Sequence, residues 1–204
     1  MEIIMSEKVS IGILAVQGAF AEHQAMLDGL GADTFLIRQK KDLEEAVQNG
    51  RLQGIVLPGG ESTVQGKLLR DLGMSDQLKE LIEAGTPVLA TCAGLILLAE
   101  RVSNDDRAYL KTLPVSVKRN AYGRQLGSFV TDAEIAHIGI YRMNFIRAPY
   151  IDEILDPQVE TLAIVDGNTV AVRYKNQLAL SFHPEVSEDA RVHAYFLNEI
   201  VQGV

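Results

Sequence analysis

Four times between Val9 and Ala99 a short apolar run gives way to a stretch with helical spacing, and this alternation restricts the fold more than any other feature. Val9 to Val16 is almost wholly apolar and β-prone, as expected for a strand covered on both faces. A turn at Gln17-Gly18-Ala19 leads into a helical pattern from Ala19 to Leu30, which Gly29 and Gly31 end. Thr34 to Ile37 reads as a strand and Asp42 to Val47 as a short helix. Gly54 to Leu57 is a third strand, stopped by Pro58-Gly59-Gly60. Glu61 and Ser62 open a helix to about Leu72, and Ser75 reads as the cap of another reaching Ala84. Pro87 to Thr91 is the fourth strand, with a helix from Ala93 onward. Strands alternating with helices predict a parallel sheet covered on both faces.

From about Leu113 the rhythm changes. Val115 to Val117, Gly127 to Val130, Met143 to Ile146, Glu160 to Val165, Thr169 to Arg173 and Leu178 to Phe182 all read as strands. Asp166-Gly167-Asn168 is a strong hairpin turn. A closing helix is expected from Ser187, as cap, to Val201. The second half therefore adds antiparallel strands to a parallel α/β core. With no internal repeat or linker, the 204 residues read as one domain, and residues 1–8 as a loose extension.

Composition excludes several function classes. A net charge of −8 disfavours nucleic acid, whose phosphates need a basic face. No apolar run nears the ~20 residues of a spanning helix, and the start lacks a secretory pattern, so no membrane partner is expected. One cysteine forms no internal disulfide, which points to a reducing, cytoplasmic setting. The four histidines, His23, His137, His183 and His193, show no metal-ligand spacing with it, so no metal is expected.

In open parallel sheets, ligands sit beyond the carboxyl ends of the strands. Three segments share that address: 58–62, 91–94 and 183–185. Cys92 lies where a strand turns into a helix, a place that exposes a nucleophile and favours a thiolate; equally, a lone cysteine in an apolar run is a small core residue. His183-Pro184-Glu185 follows a strand. Two residues apart in an extended segment, Glu185 orients His183 and His183 serves Cys92, unless the trio is only a polar loop. Gly59 and Gly60 could offer N–H groups to an anion or complete an oxyanion hole with Ala93, or simply form a tight turn. Arg119, Arg124 and Arg147 suit carboxylate binding, or surface ion pairs. His23 and His193 lie inside helical patterns and His137 in no clear motif, so all three are weaker candidates.

Taken together, these pieces resemble the class I (triad) glutamine amidotransferases. The resemblance is closest to the glutaminase subunits of pyridoxal 5′-phosphate synthases. It is carried by Leu14 to Ala19 with Glu22-His23, by Leu57 to Thr63, Thr91 to Ile96, Arg119 to Gln125, Phe145 to Pro149 and Ser181 to Glu185. It implies a flavodoxin-like three-layer fold and hydrolysis of L-glutamine to glutamate and ammonia. Cys92 would be the nucleophile, His183 the general base and acid, and Glu185 its orienter. Gly59, Gly60, Glu61, Arg119, Ile146 and Arg147 would bind L-glutamine, with backbone N–H groups of Gly60 and Ala93 as the oxyanion hole. The ammonia would pass to a synthase subunit in a large heteromeric ring, and the free subunit would be nearly inactive until docked. Pyridoxal 5′-phosphate is then a product of the complex, and no cofactor is implied for this chain. Departures from the family pattern are Val16, a packing change, and Lys118, where an acidic residue is common. Ala90 stands where such turns usually carry glycine, which implies a slightly strained elbow. Other cysteine amidases, and a binding module without activity, remain the competing classes.

Overall fold

The computed structural model describes residues 8–120 and 127–203. Its elements follow the apolar periodicity of the sequence. The first half runs β1 (Ser10–Leu14), α1 (Phe20–Gly29), β2 (Asp33–Ile37), α2 (Lys40–Gln48), β3 (Gly54–Leu57), α3 (Ser62–Asp71), α4 (Ser75–Glu83), β4 (Val88–Thr91) and α5 (Ala93–Leu98). The second half contributes β5 (Ala99–Val102), β6 (Leu113–Lys118), β7 (Ser128–Ile135), β8 (Gly139–Ile146), β9 (Tyr150–Ile154), β10 (Glu160–Val165), β11 (Asn168–Tyr174), β12 (Gln177–Leu180) and α6 (Arg191–Tyr195).

Strands β2-β1-β3-β4-β12 pair in parallel, in the order of a flavodoxin-like sheet. The expected antiparallel addition takes two forms. β11, β9 and β6 extend the same sheet antiparallel beyond β12, with β5 parallel to β6 at its edge and β10 antiparallel to β11, and β7 and β8 form a separate hairpin sheet. The 166–168 turn has positive φ at both Asp166 and Gly167, as a two-residue hairpin between β10 and β11 requires.

Side chains alternate between the two faces of the parallel strands. Leu14, Ile55, Leu57, Val88 and Ala90 point into one core with Leu43, Leu69 and Leu78 from α2, α3 and α4. Ile11, Ile13, Val56, Leu89 and Leu180 point into the other with Leu27 of α1, Val192 of α6, and Tyr141 and Phe145 of β8. Each fully buried Val, Leu, Ile or Phe among these stabilises the fold by about 1.5–3 kcal/mol. Among the described residues, no helix is long and apolar enough to cross a membrane.

Three expectations about local structure need correction. Ser75 is the first residue of α4 rather than its cap; Met74 precedes the helix and no side chain caps it. Ser187 does not open the closing helix. Its hydroxyl accepts from the N–H of Asp189 in a loop, α6 starts at Arg191, and a π-helical segment, Phe196–Val201, completes it. β5 and β9 were not anticipated. The apolar run of α5 continues only to Ala99 before the exposed Glu100 and Arg101, so nothing marks the switch from helix to strand, while 150–154 mixes exposed acids with isoleucines.

Candidate active site

The strand register sets up the site. Leu57 of β3 lies beside Ala90 of β4, and Thr91 beside Leu180 of β12, so the segments after these strands leave the sheet at one level. Cys92 follows Thr91 with φ 47° and ψ −99°, a backbone conformation costly for any residue but glycine. Its N–H donates to the carbonyl of Leu180 at 2.8 Å. A side chain at Gly94 would place Cβ 2.1 Å from the backbone oxygen of Leu57, so α5 lies against the end of β3 as only glycine permits. The strain of this elbow sits at Cys92. Ala90, two residues earlier, is an ordinary buried strand residue paired with Leu57 and Ala179, so the strain expected from the missing glycine is not at that position.

His183 enters from β12, its N–H donating to the carbonyl of Asn144 in β8 at 2.8 Å. Residues 184–186 form a single 3-10 turn rather than the extended segment read from sequence. Pro184, which has no N–H to satisfy, opens the turn. The turn brings the Glu185 carboxylate back to the ring, and His183 Nδ1 lies 2.7 Å from Glu185 Oε1. His183 Nε2 is buried and makes no closed hydrogen bond among the described residues. Burial works against the charged ring, but interaction with the Cys92 side chain and then with Glu185 outweighs it and pushes the His183 pKa up to about 10.

A cavity of about 180 Å³ lies over this pair, lined by Gly60, Glu61, Ser62, Cys92, Ile96, Arg119, Asn120, Ile146, Arg147 and His183. Asn120 and Arg147, like Cys92, have positive φ, a region asparagine adopts readily but arginine and cysteine rarely do. Arg119 bridges two carboxylates, with Nη1 2.7 Å from Asp105 Oδ2 and Nη2 3.0 Å from Glu61 Oε1. Hydrogen bonds from Arg107, side chain and backbone, and from Arg119 hold the Asp105 carboxyl well below the usual range. Arg119 is thus fixed by Asp105 and Glu61, and the neighbouring Lys118 is exposed.

Of the glutamine-site residues expected from sequence, Gly60, Glu61, Arg119, Ile146 and Arg147 line the cavity. Gly59 does not. A Cβ there would meet His183 Cε1 at 2.3 Å, so its place is against the imidazole, for which it leaves room. Arg124, with 121–125 of the run that carried the resemblance, falls outside the described residues. The glycine turn is tied down. Ala19 N–H donates to the Gly59 carbonyl at 3.0 Å, and Gln17 Oε1 accepts from Glu61 N–H at 2.9 Å. Buried Gln65 donates to the carbonyls of Gln17 and Pro58 at 2.9 and 3.2 Å. Gln65 went unremarked in the sequence because only the fold brings 17 and 58 together.

The remaining histidines divide. His137 lies 2.9 Å from Glu160 and lines a wider cavity, about 660 Å³, with Arg173, Arg191 and Tyr195. None of the Cys92 cavity's lining residues belongs to it. His23 and His193, read only as helical positions, are both wholly buried, His23 beside Glu185 and His193 beside His23.

This sheet, with a strained cysteine facing a buried His–Glu pair, is that of a glutamine amidotransferase. A solved glutamine amidotransferase matches it with a TM-score of 0.85 and 41% identity, over 95% of this chain and 99% of that one. The chain belongs to the SNO glutamine amidotransferase family, whose pattern residues 13–202 match. It is 56% identical over 193 residues to the pyridoxal 5′-phosphate synthase subunit PdxT of Desulfitobacterium hafniense, covering 95% of this chain and 94% of the relative. Identity to PdxT of Streptococcus pneumoniae is 50% over 190 residues, 93% of this chain and 97% of the relative. A glutamine amidotransferase from Thermotoga maritima, at 15% identity and TM-score 0.60 over 98% of this chain and 87% of that one, shares the fold.

Proposed function

We propose that this chain is the glutaminase of a pyridoxal 5′-phosphate synthase, releasing ammonia from L-glutamine with Cys92, His183 and Glu185 as its triad. The observation that carries the reading is Cys92 and His183 lining one small cavity, with the buried Glu185 carboxylate 2.7 Å from the far nitrogen of the imidazole. The Cys92 thiolate attacks the side-chain amide carbon of glutamine. The C–N bond then breaks, with the proton on His183 leaving on ammonia, and a thioester remains. Water, its proton taken by His183, attacks the thioester. The C–S bond breaks and glutamate departs. Backbone N–H groups of Gly60 and Ala93 are the donors for the oxyanion in both steps.

Glutamine's α-carboxylate and ammonium face the charged wall of Glu61, Arg119 and Arg147, with Ile146 against the methylenes. Because Arg119 is already engaged by two carboxylates, Arg147 is the better cation for the carboxylate. The partner is a synthase subunit that consumes the ammonia, which the naming of the relatives as synthase subunits supports, and the assembly is a large heteromeric ring. No cofactor or metal is required of this chain, the pyridoxal 5′-phosphate being the product of the assembly. A nucleophile that must stay a free thiol supports a cytoplasmic setting. The test is ammonia release from glutamine by this chain with and without its purified synthase partner. Activity that appears on mixing and vanishes in Cys92→Ala is expected; release by the Cys92→Ala chain above a trace would overturn the reading.

A further inference from the structure

Behind the triad lies a second pair of histidines that the reaction above does not use. His23 comes from α1 and His193 from α6, and both are fully buried. His23 Nδ1 lies 2.9 Å from His193 Nε2. On its other side, His23 Nε2 lies 3.1 Å from Thr91 Oγ1 and 3.4 Å from Glu185 Oε2. Glu185 Oε2 is the carboxylate oxygen that His183 leaves unused, and no hydrogen bond among the described residues closes on it. The chain of contacts therefore runs His193, His23, Glu185, His183, Cys92.

The protons of this pair follow from either end of it. A bare His23 Nε2 would aim a lone pair at a buried carboxylate, whereas Nε2–H offers both Glu185 and Thr91 a donor. At the far end, His193 Nδ1 is buried and has no hydrogen-bond partner among the described residues. An orphaned acceptor there costs less than an orphaned N–H, which puts the proton of His193 on Nε2. That N–H donates to His23 Nδ1 and leaves the His23 proton on Nε2. Both ends require the same tautomer. The titratable groups around His23 are His193 on α6, and Glu185 and His183 on the segment after β12, with Cys92 beyond. Burial first, then the neighbouring His193 and His183, keep His23 neutral, and burial holds His193 near 4. A neutral donor orients a carboxylate without cancelling the charge that the imidazolium of His183 needs.

We propose that His23, locked in its Nε2–H form by His193, is a positioning residue that holds the free oxygen of Glu185 and so fixes the orientation of the base. The inference rests on the triad reading above. Its test is the imidazole nitrogen resonances of the isotope-labelled full chain, joined to glutamine kinetics with the synthase subunit present. In the wild type, His23 and His193 are both expected as Nε2–H tautomers, with His183 titrating near 10. His23→Gln keeps an amide nitrogen near the Nε2 position, and should preserve the His183 titration and most of kcat. His23→Asn reaches only the Nδ1 position. It should lower the His183 titration and cut kcat by about tenfold or more, with KM for glutamine little changed. A His23 Nδ1–H tautomer in the wild type overturns the proposal even if no variant folds. So does an equal response, or none, from the Gln and Asn variants. Ammonia release retained by Cys92→Ala would instead sink the triad reading, and the proposal with it.

Discussion

At the scale of single residues, the site depends on one short hydrogen bond and one strained backbone. Glu185 Oε1, 2.7 Å from His183 Nδ1, selects the tautomer whose other nitrogen faces the thiol. Glu185→Gln keeps the shape but can turn an N–H toward Nδ1, which disfavours that tautomer. A fall in kcat of about a hundredfold or more is expected, with KM for glutamine within about threefold, measured by steady-state kinetics in the presence of the synthase subunit. Unchanged turnover would reduce Glu185 to a packing role. Cys92 and His183, two members of the proposed trio, were legible in the sequence because they follow closely on strands β4 and β12, where apolar periodicity stops. Glu185 was legible because it lies two residues beyond His183. His23 and His193 were not, since both occur inside helical patterns. Nothing local to either residue reveals that α1 and α6 meet behind Glu185.

Among the elements, the decisive contact is α5 against β3. The Leu57 carbonyl lies where a Cβ of residue 94 would be, and it is backbone in the middle of a parallel sheet, so it cannot swing aside. Gly94→Ala is expected to destabilise the protein by about 1–3 kcal/mol and to reduce activity by shifting Cys92. Urea denaturation checks this, and an unchanged midpoint would contradict it. The same element pair shows why strand positions were easier to read than element ends. Alternating or continuous apolar residues mark β1, β3 and β4 directly. The run from Ala93 to Ala99 carries no sign of where helix becomes strand, because every side chain along it is buried whichever form it takes. Ser187 misled for a related reason. A serine before acidic residues has the chemistry of a helix cap, but here the loop is set by Tyr141 of β8, whose hydroxyl donates to the Asp189 carbonyl at 2.8 Å.

Over the whole molecule, the buried histidines couple stability to pH in opposite directions. His183 is raised to about 10, so its contribution is complete below the ordinary histidine value of about 6.5 and is lost as pH rises towards 10. His193 is lowered to about 4, and His23 is lowered as well. Between about 6.5 and 4 the unfolded chain takes up protons that these two refuse, and stability falls. For His193 alone the loss amounts to roughly 3 kcal/mol at the acid end. Unfolding free energies at about pH 6.5 and 4.5 should therefore differ, and the difference should shrink in His193→Phe. A wild type equally stable at both would contradict the neutral buried pair. The central claim, that Cys92 is the nucleophile of glutamine hydrolysis, is tested most directly by a glutamine-like electrophile applied to the complex with the synthase subunit, followed by mass mapping. One adduct on Cys92, prevented by excess glutamine, is the expected result. No adduct, or labelling that glutamine does not block, would contradict the account.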